Sequence, residues 1–355
     1  MGLQITWFVL VAVLFFGYFV LEGFDFGVGI LAPFVSRHDN PEVQEKKRRV
    51  VLNTVGPHWD GNEVWLLTGG GALFASFPQW YATLFSGFYL ALFLILLALI
   101  WRNVSIEFRG KIESKGWHKA WDIGFFVGSL LPALLWGVAF ANIVEGVEID
   151  ADKNVLTSLW GLLNPYGILG GLATLLLFTL HGGVFLALRT EGIVRESALK
   201  AVRYVAIPTI IVVAAFGLWT QLAHGKGWTW AALAIAAVAL IVAVVLAWRG
   251  QEAVSFGLMC LTIAGVVLLL FGSLYPYLMP STLEGGFSLS IYNASSSHYT
   301  LKVMTIAAGI LCGIYLRVHR RAPSAAVDVE AMGGAALLLG DVLWLGGRGM
   351  EDVVP

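Results

Sequence analysis

An all-α polytopic membrane protein is the fold class this sequence predicts, and three observations predict it. Of 355 residues, 58% are hydrophobic and 13% charged, with a mean hydropathy of +0.79; soluble domains carry about 25% charged residues. Apolar runs of roughly 20 residues, the length a bilayer requires, recur nine times. Basic residues gather in alternate connections between those runs. The net charge of −1 says nothing about partners because the charges are segregated, and no nucleic-acid surface is expected. Cys260 and Cys312 both lie inside apolar runs and read as buried inert thiols, not as a disulfide or a metal site.

The nine runs fall at about 5–33, 52–76, 79–101, 122–144, 166–188, 204–223, 229–248, 254–277 and 299–317, in one integral membrane domain over 1–321. The first run is long, has no basic leader or small-residue cleavage site, and reads as a retained span. With the N-terminus outside and the C-terminus inside, the inner connections hold 18 of the 22 lysines and arginines, as the positive-inside rule requires. The outer loop 145–153 carries Glu145, Glu148, Asp150 and Asp152.

Taken in order, the first span contains LEGFDFGVG, residues 21–29. Glu22 and Asp25, three apart, share a face. Gly23 and Gly27 form a small-xxx-small pair that lets another helix approach closely. The second stretch, VLNTVGPHWDGNEVWLLTGGGALFA (51–75), is the most informative. Asn53, Gly56, Asp60, Glu63 and Leu67 lie on one helical stripe, expected to turn away from lipid. An intramembrane carboxylate costs a few kcal/mol, so pairing or function is the expected reason for keeping one. Pro57 removes a backbone donor and predicts a kink near Asp60. Counted from an inner end at 52, Asp60 lies about 15 Å deep at 1.5 Å per residue, near the midplane. Stacked with Asp25, and extended by His58, it outlines a polar track from the inner surface. The bland alternative is a polar cluster that only glues helices together. Trp59 and Trp65 flank the stretch as aromatic filler.

Arg102 ends the third span; snorkelling to lipid phosphates is the expected role, with pairing to Asp25 or Glu22 as the alternative. His181, in the fifth span, is expected to be a satisfied helix–helix histidine. His58 and His181 are the two intramembrane histidines, and no CxxCH motif or bis-axial pair marks a haem site. Glu22–Gly23 and His181–Gly182 each fall late in their span after a leucine, a weak sign that spans one to four and five to eight are repeats. Spans six and seven are plain aliphatic helices joined by a short gap at His224–Trp228. The segment 275–300, rich in Pro, Gly and Ser, reads as an ordered loop or a partner contact. In the tail 322–355 the apolar stretch GGAALLLGDVLWLGG (333–347) is too short to span, and the tail reads as a disordered or appended end.

With these residues in view, the sequence resembles subunit II of cytochrome bd quinol oxidase. The resemblance rests on LEGFDFGVG (21–29), NTVGPHWDGNEVWLLTGGGALFASFP (53–78), IWRNVSIEFRGK (100–111), LHGGVFLALRT (180–190) and PYLMPS with YNASSSHYTLKVM (276–304), in order along the chain. It implies two four-helix bundles plus one additional helix, paired pseudo-symmetrically with a haem-bearing subunit I. Haem b and haem d are then expected in that partner, with quinol oxidised and O2 reduced to water by the complex in a bacterial plasma membrane. It implies a proton pathway through Asp60, to which the residue reading above adds Glu63, Asp25, Glu22 and His58 as candidate members. Arg102, Trp59, Asn62, Trp65 and His181 are left as pairing and structural residues, and no metal ligand or catalytic residue is expected in this chain. In many members a neutral residue stands where Glu63 stands here, so Glu63 adds a second titratable group beside Asp60. A structural quinone and a small single-helix third subunit are further features the resemblance brings. Midplane carboxylates, glycine breaks and a repeat also suit a proton- or cation-coupled transporter, the competing reading from composition alone.

Overall fold

The computed structural model describes residues 2–321; the expectation for the tail lies outside them. Ten helices precede a small two-stranded segment, and one follows it. They are α1 (Gly2–Val35), α2 (Pro41–Val55), α3 (Trp59–Ser76), α4 (Pro78–Gly87), α5 (Tyr89–Phe108), α6 (Lys115–Glu145), α7 (Pro165–Arg189), α8 (Gly192–Ala223), α9 (Thr229–Trp248), α10 (Glu252–Leu274) and α11 (His298–Arg321). Seven of these, α1, α5 to α10, are long and apolar enough to cross a membrane, and α11 contributes a shorter apolar helix.

Two of the sequence-derived spans are not single helices. The run 52–76 is broken at Gly56–His58, where Pro57 cannot donate to the helical ladder. Its first part belongs to α2, a polar, basic helix capped by the Asn40 side chain, which accepts from the Glu42 amide at 2.9 Å. Its second part is α3. The run 79–101 is likewise divided at Phe88 into the ten-residue α4 and the longer α5, which continues to Phe108. Hydropathy sees through the break at Phe88 because its flanking residues stay apolar, whereas Asn53, Thr54, Asp60 and Asn62 flank the break at Gly56–His58.

α1 lies at the centre. It packs against α3 and α6 on one side and α7, α8 and α10 on the other. α5 lies against α6, and α9 against α8 and α10. The two sides meet where α1 crosses α7 at Gly27 and Gly182. A β-carbon on Gly27 would run into the Phe178 carbonyl and the Gly182 backbone, and one on Gly182 would run into the Gly27 backbone. The core between them is aromatic, with Phe24 stacked on Phe185 at 4.0 Å and Phe15, Phe19, Trp136 and Phe140 in edge contacts.

At one end, β1 (Tyr277–Met279) pairs antiparallel with β2 (Leu289–Ser290). The segment 275–300 is therefore an ordered cap. The Ser296 amide and hydroxyl donate to the carbonyls of Ser76 and Ala75 at 2.9 and 2.6 Å, and Gln4 donates to Ser295 at 3.0 Å. At the other, basic end, α2 docks beside α7 and α8, with Lys47 donating to the Ser197 hydroxyl at 3.0 Å. Cys260 is half-buried, but Cys312 is exposed on α11, so the expectation of two buried thiols fails for the second. An apolar run fixes a helix, not which face of it is covered.

Candidate functional site

The first side of the molecule holds a cluster of ionised and amide groups built from three helices. α1 supplies Glu22 and Asp25, whose three-residue spacing places both on one face, and both are buried. α5 supplies Arg102 and Asn103. α3 supplies Asn62 and Glu63. Arg102 is fully buried and pairs with Glu22. Its Nη2 also donates to Glu63 at 3.1 Å, and its guanidinium lies 5.0 Å from the Phe26 ring centroid. Asn103 donates to the same Glu63 oxygen at 2.7 Å. Asn62, fully buried, donates to Asp25 at 2.8 Å.

Snorkelling of Arg102 is thereby corrected. α5 runs past Arg102 by another turn and a half, to Phe108, so the guanidinium lies inside the protein and meets Glu22, the partner named as the alternative. Gly128 on α6 makes room for it: a β-carbon there would strike the Arg102 backbone. A buried arginine is tolerated only with its charge compensated, and here two carboxylates share it.

Asp60 lies apart from this pairing. It is exposed on the first turn of α3, where its carboxylate accepts from the Gly61 amide at 2.7 Å. That position suits a negative charge, because the amides of a helix start point towards it. Asp60 is still within electrostatic reach of Asp25. The expected inward-facing stripe is therefore not observed within this chain. Asn53, Asp60 and Leu67 are exposed, with Leu67 at 74%, and the inward member of the motif is Asn62. The break at Pro57 is the cause: face arithmetic and the 15 Å depth both assume one continuous axis from residue 52.

His58 precedes the first turn of α3, and its carbonyl accepts from the Asn62 amide at 3.0 Å. Trp59 is half-buried. Trp65 packs over Gly17 of α1, where a β-carbon would collide with its ring, so it is filler as expected. His181 does not join the carboxylates. It bonds the Val20 carbonyl through Nε2 at 3.0 Å and stacks on Phe256 at 4.8 Å. Phe24 closes another side at 6.0 Å. The His181 Nδ1 is buried with no hydrogen-bond partner among the described residues, so the expectation of a satisfied histidine holds for Nε2 alone. Among the described residues, no group of three or more His, Cys, Asp or Glu is placed to hold a metal ion.

Within the cluster, Glu22 Oε2, Asp25 Oδ1, Asn62 Oδ1 and Arg102 Nη1 are buried with no hydrogen-bond partner among the described residues. Asn103 was not singled out from the sequence, although it adjoins Arg102 in the IWRN run. Also unanticipated was the network at the basic end. Arg109 grips Glu45 with both terminal nitrogens at 2.9 and 2.8 Å, and its Nε donates to Asp122 at 2.7 Å. The Arg109 hydrogen bonds pull the Glu45 carboxyl down to about 2. Its signal in the sequence was only the presence of charge in connections.

Comparison with known proteins places these residues in a family. The model of the cytochrome bd terminal oxidase subunit II family matches residues 3–318. A Bacillus subtilis protein named cytochrome bd ubiquinol oxidase subunit 2 is 43% identical over 312 residues, covering 86% of this chain and 90% of that protein. An Escherichia coli K12 protein named cytochrome bd-I ubiquinol oxidase subunit 2 is 34% identical over 352 residues, covering 88% and 91%. The bd oxidase structure from Geobacillus thermodenitrificans superposes with a TM-score of 0.72 at 17% identity, covering 91% of this chain and 100% of the matched chain. At that identity the likeness speaks for the fold alone.

Proposed function

The chain belongs to the cytochrome bd terminal oxidase subunit II family, and from that premise we propose that it conducts protons from the inner surface towards the O2-reducing centre through Asp60, Asp25, Glu63 and Glu22. As a family member it is one subunit of a quinol:oxygen oxidoreductase complex and a multi-pass protein of the bacterial inner membrane. The transporter alternative gives way to that membership.

The observation that carries the proton role is the gradient of burial along one polar line. Asp60 is open at the surface of the chain, Glu63 is half-buried, and Asp25 and Glu22 are enclosed. The buried members keep unused hydrogen-bonding atoms, the chemistry a relay needs. Reducing O2 to water consumes protons inside a low-dielectric complex, and carboxylates are the groups that can bring them there. His58, at the break before α3, extends the line towards the basic end. Arg102 holds Glu22 and Glu63 in place and offsets their charge.

The same reading places the N-terminus outside and the C-terminus inside, with nine crossings that count α3 and α11 beside the seven long apolar helices. Haem b and haem d are assigned to the partner subunit I, as the family resemblance implies. This chain then serves as the stabilising, haem-free half of a pseudo-symmetric pair. The uncovered face of α3, with Leu67 and Phe74 exposed, suits that partner. An apolar cleft of about 550 Å³ between α3 and α5 is the place for a structural quinone. A small single-helix third subunit is compatible with this arrangement.

Asp60→Asn in the assembled complex tests the proton role. Turnover with saturating quinol is expected to fall by about tenfold or more, or about 1.4 kcal/mol in barrier, with Asp60→Glu milder. A fully haem-loaded Asp60→Asn complex with unchanged O2 consumption across pH would refute the assignment.

A further inference from the structure

At the basic end a cleft of about 1160 Å³ opens between the end of α1, the polar face of α2 and the start of α6. Six lysines and arginines line it against three carboxylates. Those carboxylates are partly used: Glu45 and Asp122 are held by Arg109, and Glu45 also accepts from Arg49 at 3.1 Å. Lys46, Lys115 and Lys119 are exposed around the rim. Arg48 lines the cleft and is 7% exposed. Its Nε reaches Asp122 only at 3.7 Å, and its Nη1 has no hydrogen-bond partner among the described residues. A nearly buried guanidinium short of acceptors favours an added anion. One wall is of a different kind: Pro33, Phe34, Ile123 and Phe126 bring apolar surface into the same cleft, with Phe34 65% and Ile123 47% exposed.

We propose that this cleft binds the phosphate of an anionic phospholipid, with Arg48 and the Lys46, Lys115 and Lys119 rim on the headgroup and Phe34 and Ile123 against the acyl chains. The cationic excess selects an anionic headgroup, and the adjoining apolar wall selects a lipid over a soluble anion. A basic pocket at the membrane edge is the arrangement that recognises such headgroups. The site is separate from the Glu22–Arg102 cluster and does not depend on the proton reading.

The test is native mass spectrometry of the delipidated whole complex titrated with phosphatidylglycerol, phosphatidylcholine or inorganic phosphate. Phosphatidylglycerol is expected to bind at least tenfold more tightly than phosphatidylcholine. Lys115→Gln with Lys119→Gln, both on exposed side chains, should weaken the first phosphatidylglycerol adduct by about fivefold per charge removed. Arg48→Gln should abolish it if that variant assembles. Equal binding of the two lipids, or unchanged affinity in the lysine double variant, overturns the proposal. So does inorganic phosphate that displaces phosphatidylglycerol at equal concentration, which would make the site one for a free anion.

Discussion

The two sides of the molecule fill their interiors with opposite materials. Around α3, α5 and α6, the interior against α1 holds Glu22, Asp25, Asn62 and Arg102, all nearly or fully buried. Around α7 to α10 it holds aliphatic and aromatic side chains, and an apolar cavity of about 100 Å³ between Trp136, Leu177, Phe216, Leu240 and Leu270. Polar groups on that second side mostly satisfy one another or their own backbone. Tyr166 bonds Thr220 at 2.7 Å, and Thr229 donates to Gln221 at 2.8 Å. Arg195 and Glu252 pair near the basic end. Helix packing alone therefore does not require buried charge in this fold. One side fills its core without it, its buried carboxylate Glu252 standing at the start of α10 in a pair with Arg195, whereas the other holds its charge between the helices.

The comparison is broken most severely by Arg102→Ala. Removing the cation leaves Glu22 buried and uncompensated, a loss of about 3–5 kcal/mol, and the yield of intact complex should collapse. Adding Glu22→Gln to that variant should recover part of the yield; if the double variant is no better than Arg102→Ala, uncompensated charge is not the cause. Gly182→Leu attacks the junction of the two sides, where backbones touch. Overpacking of about 1–3 kcal/mol or more should lower the thermal transition of the whole chain, and an unshifted transition would show that α1 and α7 can separate freely. His181→Phe sharpens the contrast. It keeps the ring against Phe256 and gives up one hydrogen bond, about 1 kcal/mol, with O2 turnover unchanged in the purified complex; a marked fall in turnover would give the second side a chemical role.

The smallest effect is expected at the basic end. Glu45 has its carboxyl pulled below the ordinary value of 4.5 to about 2. Its ion pair thus stabilises the fold above pH 4.5, and the contribution fades as pH falls from there through about 2. Wild type should be more heat-stable than Glu45→Gln at neutral pH, and melting curves of the two should converge in acid. A difference that persists at the lowest pH would place the effect of the substitution elsewhere than in the charge.

Much of this was legible in the residues. Glu22 and Asp25 share a buried face as their spacing required, and Gly23 and Gly27 admit α7 as the small-residue pair predicted. Among the lysines and arginines assigned to inner connections, Lys47 of α2 meets Ser197 of α8 and Arg109 meets Glu45, but Arg102 is buried against Glu22. Asp60 and Asn62 show where legibility stopped. The motif gave both as polar and two residues apart, so on opposite sides of a helix, but not which side is covered. The break at Pro57 reoriented α3 relative to the preceding turn, and Asn62 went inward. Arg102 is a similar case, since Glu22, Asp25 and lipid phosphate were all in reach of a side chain that long.

The sequence by itself determined the membrane class, the helical segments outside two breaks, the segregation of charge and the identity of the polar residues. These follow from composition and periodicity, which act along the chain. Only the tertiary structure decided that Arg102 takes Glu22, that Asp25 takes Asn62, that Asp60 stays at the surface and that Arg48 is left with an unfilled donor. Those outcomes depend on how α1, α3 and α5 approach one another, and a distance between two helices is a property that neither helix carries in its own sequence.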